Sequence, residues 1–340
     1  MSILNVAYPL FPVSADSSGG AEQILYLLER GLVSAGCKSV VVAAEGSRIS
    51  GALIETPAAP GKITDAAREQ AQRAHLAAIE RALEQFRVDL IHFHGLDFDH
   101  YVPASRMPKL ATLHLPLAWY SPSVLDSGIV NLCCVSESQA RTAPNGVQLP
   151  VVQNGIDVAR YRPQAPRRDY LLWLGRVCEE KGTDIALRVA HRLDLPLLVA
   201  GPVHPFAYHE AYFKERVAPL LDDERRWIGA VALEQKIELL AHARCVLIPS
   251  LAPETGSLVA MEAISSGAPV IAFRSGALPE IVEDGVTGFL VGGEDEMAQA
   301  VNRSAEISPA RCREEALRRF DSARMVEGYI NLYRDLLASQ

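Results

Sequence analysis

The chain has 340 residues, 49% of them hydrophobic and 22% charged, with a formal net charge of −8. That is long for one domain and suits two of about 150 to 170 residues, each able to bury a core. Lys and Arg number 12 against 15 Asp and Glu up to Arg160, and 21 against 26 afterwards, so neither half is basic and nucleic acid is disfavoured as the main partner.

Short apolar runs alternate with helical patterns along the chain, which predicts an α/β protein built on doubly wound parallel sheets. In the first half the strands are expected at residues 4–8, 39–44, 90–93, 110–113, 130–135 and 151–153. A helix over 20–35 places Ile24, Leu25, Leu28 and Leu32 on one face and stops at Gly36. A second helix over 64–86 repeats Leu76, Ile79, Leu83 and Phe86 at helical spacing, and both stripes read as core faces. Residues 9–18 and the aromatic stretch 117–122 are loop candidates for a ligand pocket.

Residues 160–168 hold two prolines and no periodicity, so the linker is placed there. The second half then repeats the pattern, with strands expected at 170–174, 196–200, 226–228, 245–249, 270–273 and 289–291. A last helix over 320–337 carries Met325, Tyr329, Leu332, Tyr333 and Leu336 on one face. The expected domains are 1–162, 163–318 and a terminal helix at 319–340. A ligand would bind in a cleft facing the C-terminal strand ends.

Several motifs are absent. No Gly-x-Gly-x-x-Gly fingerprint occurs, and Gly61-Lys62 lacks the earlier glycine of a phosphate-binding P-loop. The six cysteines, Cys133 and Cys134 adjacent among them, show no metal spacing and read as buried free thiols of a reducing compartment. His92 and His94 would share a strand face, but no carboxylate cluster joins them, and no metal is expected. Ser136 and Ser138 have no His/Asp arrangement nearby and read as caps of the following helix. No leader peptide is indicated, and no apolar run approaches the roughly 18 residues of a membrane span. The expectation is a cytoplasmic protein without a transmembrane segment.

The most chemically pointed segment is 249–263, where Glu254 and Glu262 follow an apolar run and a turn of small residues. Backbone N–H groups at the start of a helix bind an anion such as a pyrophosphate. If the stretch between the acids is mostly helical, they stand about 12 Å apart at a rise of roughly 1.5 Å per residue. Glu262 lies among Val259, Ala260, Met261, Ala263 and Ile264, so it risks desolvation unless something pairs with it. Earlier, Arg176 and Lys181 stand five residues apart in one loop after a strand, which suits a dianion: the Arg as a fork, the Lys as a point charge.

The segment 249–263 resembles the signature of retaining glycosyltransferases of family 4 (glycosyl transferases group 1), which have the two-domain GT-B fold. The likeness continues through Gly175-Arg176 with Lys181-Gly182, Gly19-Gly20, His94, His114, the stretch 135–138, and the stretch 154–157. It implies that Arg176 and Lys181 clamp a donor pyrophosphate, aided by the helix start at Gly256, Ser257 and Leu258. By the same likeness Glu254 orients the donor sugar, Glu262 takes the ribose, and Gly229 and Val231 lie near the base. Gly19, Gly20 and His114 would line the sugar and acceptor side, and the terminal helix would return to the first domain. The implied reaction is retaining transfer from a UDP-linked donor to a hydroxyl of a sugar, lipid or small metabolite, with no metal and no cofactor beyond the nucleotide sugar. A GT-B-fold epimerase or phosphorylase, or a non-catalytic nucleotide-sugar sensor, is the alternative. Where the family commonly has Gly-aromatic-Gly after the first acid, this chain has Thr255-Gly256-Ser257, which bears on donor-sugar preference.

Overall fold

A computed structural model describes residues 1–17, 19–58, 63–126, 128–144, 146–164 and 169–339. The first half contains β1 (Ser2–Val6), α1 (Gly20–Ser34), β2 (Lys38–Ala44), β3 (Ala52–Thr56), α2 (Asp65–Gln85), β4 (Leu90–Phe93), β5 (Lys109–Leu113), α3 (Pro122–Asp126), β6 (Asn131–Cys134) and α4 (Glu137–Ala140). The second half begins with β7 (Leu171–Leu174), α5 (Thr183–Leu193), β8 (Leu197–Ala200), α6 (Ala207–Tyr212), β9 (Arg225–Gly229) and α7 (Leu233–His242). It continues with β10 (Cys245–Ile248), α8 (Leu258–Ser265), β11 (Val270–Phe273), α9 (Leu278–Ile281), β12 (Gly288–Val291), α10 (Glu294–Arg303) and α11 (Pro309–Arg319), and the chain closes on α12 (Ser322–Ala338).

Two six-stranded sheets result, ordered β3-β2-β1-β4-β5-β6 and β12-β11-β10-β7-β8-β9. The pairs are parallel, as β1 with β4 and β7 with β10 illustrate. In each sheet the first and fourth strands of the set lie side by side, so the connections leaving β1 and β4, or β7 and β10, diverge. That divergence opens a crevice at the C-terminal strand ends, where ligands bind in doubly wound folds. Strands covered on both faces need continuous apolar runs, and all of Ser2–Val6 is buried.

The chain divides into two compact units, residues 1–155 with 322–340, and residues 156–321. Residues 156–162, assigned to the first domain from the sequence, lie in the second unit. There the Ile156 N–H donates to the Phe320 carbonyl at 2.8 Å, and the Arg313 guanidinium holds the carbonyls of Val158 and Tyr161. Of the linker, residues 165–168 lie outside those described, as do Ser18 of the loop 9–18 and Gly61-Lys62.

Two sequence expectations fail for identifiable reasons. Residues 151–153 form no strand; the Val152 N–H and the Pro150 carbonyl both bond to Cys134, a single bridge beyond the end of β6. The edge strand β3 was not anticipated, because its residues are only partly covered and give no long apolar run.

In the first unit, Ile24, Leu25, Leu28 and Leu32 of α1 are 0–1% exposed. The terminal helix α12 belongs to this unit and buries Met325, Tyr329 and Tyr333. Two of these carry hydroxyls into the core. Tyr333 Oη lies 2.7 Å from His92 Nδ1, His92 Nε2 lies 2.7 Å from Thr112 Oγ1, and Thr112 Oγ1 lies 2.9 Å from Tyr329 Oη. Both ring nitrogens of His92 are thus taken by hydroxyls. Ser136 caps α4 by accepting from the Gln139 N–H at 3.1 Å, whereas Ser138 sits inside that helix. None of the six cysteines takes part in a disulfide. Among the described residues no helix is long and apolar enough to cross a membrane.

Burial in the first unit also sets an acid limit. His75 is fully buried against the Tyr101 ring, and burial pushes its pKa down to about 4 from 6.5. Burial lowers His92 and His94 too. The unfolded chain takes up these protons below about pH 6.5 while the folded unit refuses them, so stability falls as pH drops from there toward 4. For His75 alone the loss at pH 5 is about 2 kcal/mol. Urea unfolding at pH 7.5 and pH 5 is expected to show a steep difference for the natural chain and one smaller by about that amount for His75→Leu.

Candidate functional site

In the second unit the loop after β7, residues 175–182, meets the loop after β10. Gly182 makes the meeting possible: its φ is +63°, and a Cβ there would lie 2.2 Å from the Pro249 carbonyl oxygen. Just before it, Lys181 ends a 3-10 turn, with its carbonyl accepting from Trp173 Nε1 at 3.3 Å. Lys181 Nζ then reaches Glu254 Oε1 at 2.6 Å across the two loops. Ser250 Oγ donates to the same oxygen. Burial alone would raise the Glu254 carboxyl, but the charge and hydrogen bond of Lys181, then Ser250 and Arg176, hold it below its ordinary range. Glu254 is therefore an anion at neutral pH. Its backbone is held as well: the Ala277 N–H donates to the Glu254 carbonyl at 2.7 Å, and a Cβ on Gly276 (φ +55°) would come within 2.1 Å of that oxygen.

The helix expected to span both acids is shorter than the sequence suggested. It begins at Leu258 with Ser257 as cap, whose Oγ accepts from the Ala260 N–H at 3.4 Å. Glu254 lies in the loop before it, because Pro253 and Gly256 oppose helix there. The 12 Å helical separation therefore does not apply.

Arg176 is half-buried, and among the described residues no side chain forms an ion pair or hydrogen bond with its guanidinium. This leaves a forked cation beside the Lys181–Glu254 pair, and an anionic ligand is its natural complement.

Glu262 is 2% exposed and is not the solvated helix residue its charge alone would suggest. Lys236 on α7 approaches its Oε1 at 2.5 Å, and the Tyr161 hydroxyl donates to the same atom at 2.8 Å. Burial, then the Glu262 charge, pushes the Tyr161 hydroxyl well up, so it stays protonated and can donate. Glu262 Oε2 has no hydrogen-bond partner among the described residues. Sequence reasoning missed Lys236 and Tyr161. The available signal was the buried acid's need for a cation, which named no position.

The remaining predicted residues fall at the same edge of their own sheets. Gly229 ends β9 with φ +72°, its carbonyl accepting from the Gly201 N–H at 2.7 Å, and Val231 follows before α7. Since β9 stands two places from β7, Gly229 and Val231 are set apart from Arg176, Lys181, Glu254 and the Gly256–Leu258 stretch. In the first unit Gly19 caps and Gly20 opens α1, while His94 and His114 directly follow β4 and β5. His94 Nδ1 lies 3.1 Å from His114 Nε2. Burial pushes His114 down to about 4, so its ring is neutral at physiological pH. In the aromatic stretch Trp119 is 47% exposed and Tyr120 is buried. A separate recess of about 510 Å³, lined by Asp169, Pro196, Glu224 and Arg226, lies at the opposite edge of the second sheet and holds none of these residues.

Residues 18–160 match the family profile described as Glycosyltransferase Family 4, and residues 168–306 match that of Glycosyl transferases group 1. A D-inositol 3-phosphate glycosyltransferase of Mycobacterium sp. (strain JLS) is 33% identical over 194 residues, 50% of this chain and 42% of that protein. An alpha-maltose-1-phosphate synthase of Mycolicibacterium smegmatis is 28% identical over 222 residues, 55% of this chain and 57% of that protein. The chain spans about half the length of the curated relatives it matches. Among solved structures, AviGT4, a glycosyltransferase involved in avilamycin A biosynthesis, is similar over 100% of this chain and 98% of its own, with a TM-score of 0.76 and 26% identity. Anabaena HepE, solved in complex with UDP-glucose, is similar over 100% of both chains with a TM-score of 0.74 and 19% identity.

The Glu262 pair makes a stability prediction. Lys236→Met leaves a carboxylate buried without its cation and is expected to destabilise the second unit by about 3 kcal/mol in denaturant unfolding. Adding Glu262→Gln removes the stranded charge and should restore most of that loss. A Lys236→Met chain as stable as the natural one would show the pair to be energetically idle.

Proposed function

The chain belongs to the family 4 glycosyltransferases, group 1, of GT-B fold, and on that premise we propose that it transfers a sugar from a UDP-linked donor to a hydroxyl acceptor. Transfer would proceed with retention of the anomeric configuration and without a divalent metal. The observation that carries this reading is the convergence of Arg176, Lys181 and Glu254 beside the start of α8, at the ends of the adjacent strands β7 and β10. The HepE complex, whose bound ligand is UDP-glucose, supports the choice of donor.

As the bond between sugar and phosphate breaks, negative charge grows on the leaving diphosphate. The Arg176 fork, the Lys181 ammonium and the backbone N–H groups at the start of α8 would stabilise it as fixed positive partners. With these cations supplied by side chains, the reaction does not call for a metal to neutralise the phosphates. The acceptor hydroxyl attacks from the face the diphosphate leaves, and its proton passes to a leaving phosphate oxygen, so no separate protein base is needed. Glu254, an anion, accepts hydrogen bonds from hydroxyls of the donor sugar. Glu262 keeps Oε2 for a ribose hydroxyl while Oε1 holds Lys236 and Tyr161. In the first unit the neutral His114 ring offers a hydrogen bond to a hydroxyl, its Nε2 already bonded to His94.

Incubation with UDP-, GDP- and ADP-sugars in chelator, with an acceptor panel, should release UDP fastest. Arg176→Ala and Lys181→Ala should each lower kcat about 100-fold. Unchanged turnover in both variants would remove the clamp from the mechanism, and UDP-sugar binding without turnover on any acceptor would favour a sensor.

A further inference from the structure

We propose that Cys178, Glu180 and His209 form a binding site for a thiophilic divalent cation of the zinc type. The Cys178 Sγ, a Glu180 carboxylate oxygen and a His209 ring nitrogen all lie within 4.8 Å of one another. Three atoms so spaced stand no more than about 2.8 Å from a common point, against metal–ligand bonds of about 2.0 to 2.3 Å. Side-chain shifts well under 1 Å, roughly the difference between those lengths, close the set.

Two further observations point to a ligand here. Cys178 and His209 are each 1% exposed, and both His209 Nδ1 and Glu180 Oε2 are buried with no hydrogen-bond partner among the described residues. Unsatisfied polar atoms in an apolar setting are costly, and a coordinated ion would satisfy the carboxylate and hold the imidazole. The backbone positions all three. Cys178 and Glu180 flank Glu179 in the loop after β7, the Glu180 carbonyl accepts from the Leu251 N–H at 2.8 Å, and His209 sits on α6 with its ring edge-on to Phe206 at 5.3 Å.

The donor set selects the ion. Sulfur, imidazole nitrogen and one carboxylate suit zinc with a fourth position open, whereas magnesium and calcium take six or more oxygens. A thiolate and a carboxylate together match the two charges of the ion, which lets it sit near Arg176. Bound there, the ion ties α6 to the loop that carries Arg176 and Lys181. The site stands on its own residues, whether or not sugar transfer is the reaction.

The test uses the tag-free 340-residue chain titrated with Co2+ and, by equilibrium dialysis, with Zn2+. One ion per chain, a thiolate-to-cobalt charge-transfer band and a rise in Tm with Zn2+ concentration are expected. Cys178→Ser should abolish the band, and His209→Ala and His209→Gln should each weaken Zn2+ binding at least tenfold. Glu179→Gln, at the exposed neighbour, should change neither, and circular dichroism shows which variants are folded. Absence of the band in the natural chain, its survival in Cys178→Ser, or undiminished affinity in both His209 variants overturns the site.

Discussion

A carboxylate withdrawn from water needs compensating charge or hydrogen bonds, and at the candidate site two acids of the second unit find them in lysines. Glu254 meets Lys181 and Glu262 meets Lys236, and in each case the partners come from different segments of the chain. The first pair joins the loops after two adjacent parallel strands, β7 and β10. It therefore exists only because the sheet order places those strands together. The second pair joins α7 to α8, with Tyr161 adding a neutral donor. Replacing either acid by an apolar residue of similar size would be tolerated by a core that needed only packing. At Glu254 that charge also faces the Arg176 guanidinium, which pairs with no side chain among the described residues, an arrangement that packing alone does not ask for.

How much of this was legible in the sequence depends on the length scale of the signal. The strand pattern was readable because a sheet covered on both faces demands unbroken apolar runs, and β4 and β11 were placed to the residue. The stripe of Ile24, Leu25, Leu28 and Leu32 was readable for the same reason, since a helix lying on a sheet must repeat its apolar face. The half-covered edge strand β3 carries too little burial to leave a mark, whereas the apolar pair Val151 and Val152 suggested a strand where only a single bridge forms. In the candidate site Arg176, Lys181, Glu254 and Glu262 stood out through their local segments. Lys236 did not, because nothing in a ten-residue helix says which distant acid its ammonium meets. The distance between the two acids was misjudged because it assumed a mostly helical stretch, whereas Pro253 and Gly256 keep Glu254 in the loop before α8.

The two units repeat one strand order and differ in what they carry at the same edge. At the ends of β7 and β10 stand two cations and an acid; at the ends of β4 and β5 stand His94 and His114, both driven neutral by burial. Cations recognise phosphate through charge, while neutral imidazoles recognise hydroxyls through direction. Topology thus supplies the crevice in both units, and side-chain chemistry alone decides what each crevice can hold.

The loop 175–182 compresses several of these functions into eight residues. Gly182 lets it abut the Pro249 carbonyl, Trp173 fixes the carbonyl of Lys181, and Glu180 supplies the carbonyl that receives Leu251. Each restraint fixes backbone rather than side chain, so Arg176 and Lys181 begin from a nearly rigid base and lose less freedom when an anion arrives. Ser257 contributes to the same economy from the other loop. There the turn ends on a serine whose hydroxyl accepts the Ala260 N–H. Capping fixes where α8 starts, and with it where the helix's unpaired backbone N–H groups lie. Three charged side chains, Arg176, Lys181 and Glu254, thus stand on backbone that glycines and turn hydrogen bonds hold stiff, so the glycines matter to the geometry as much as the charges themselves.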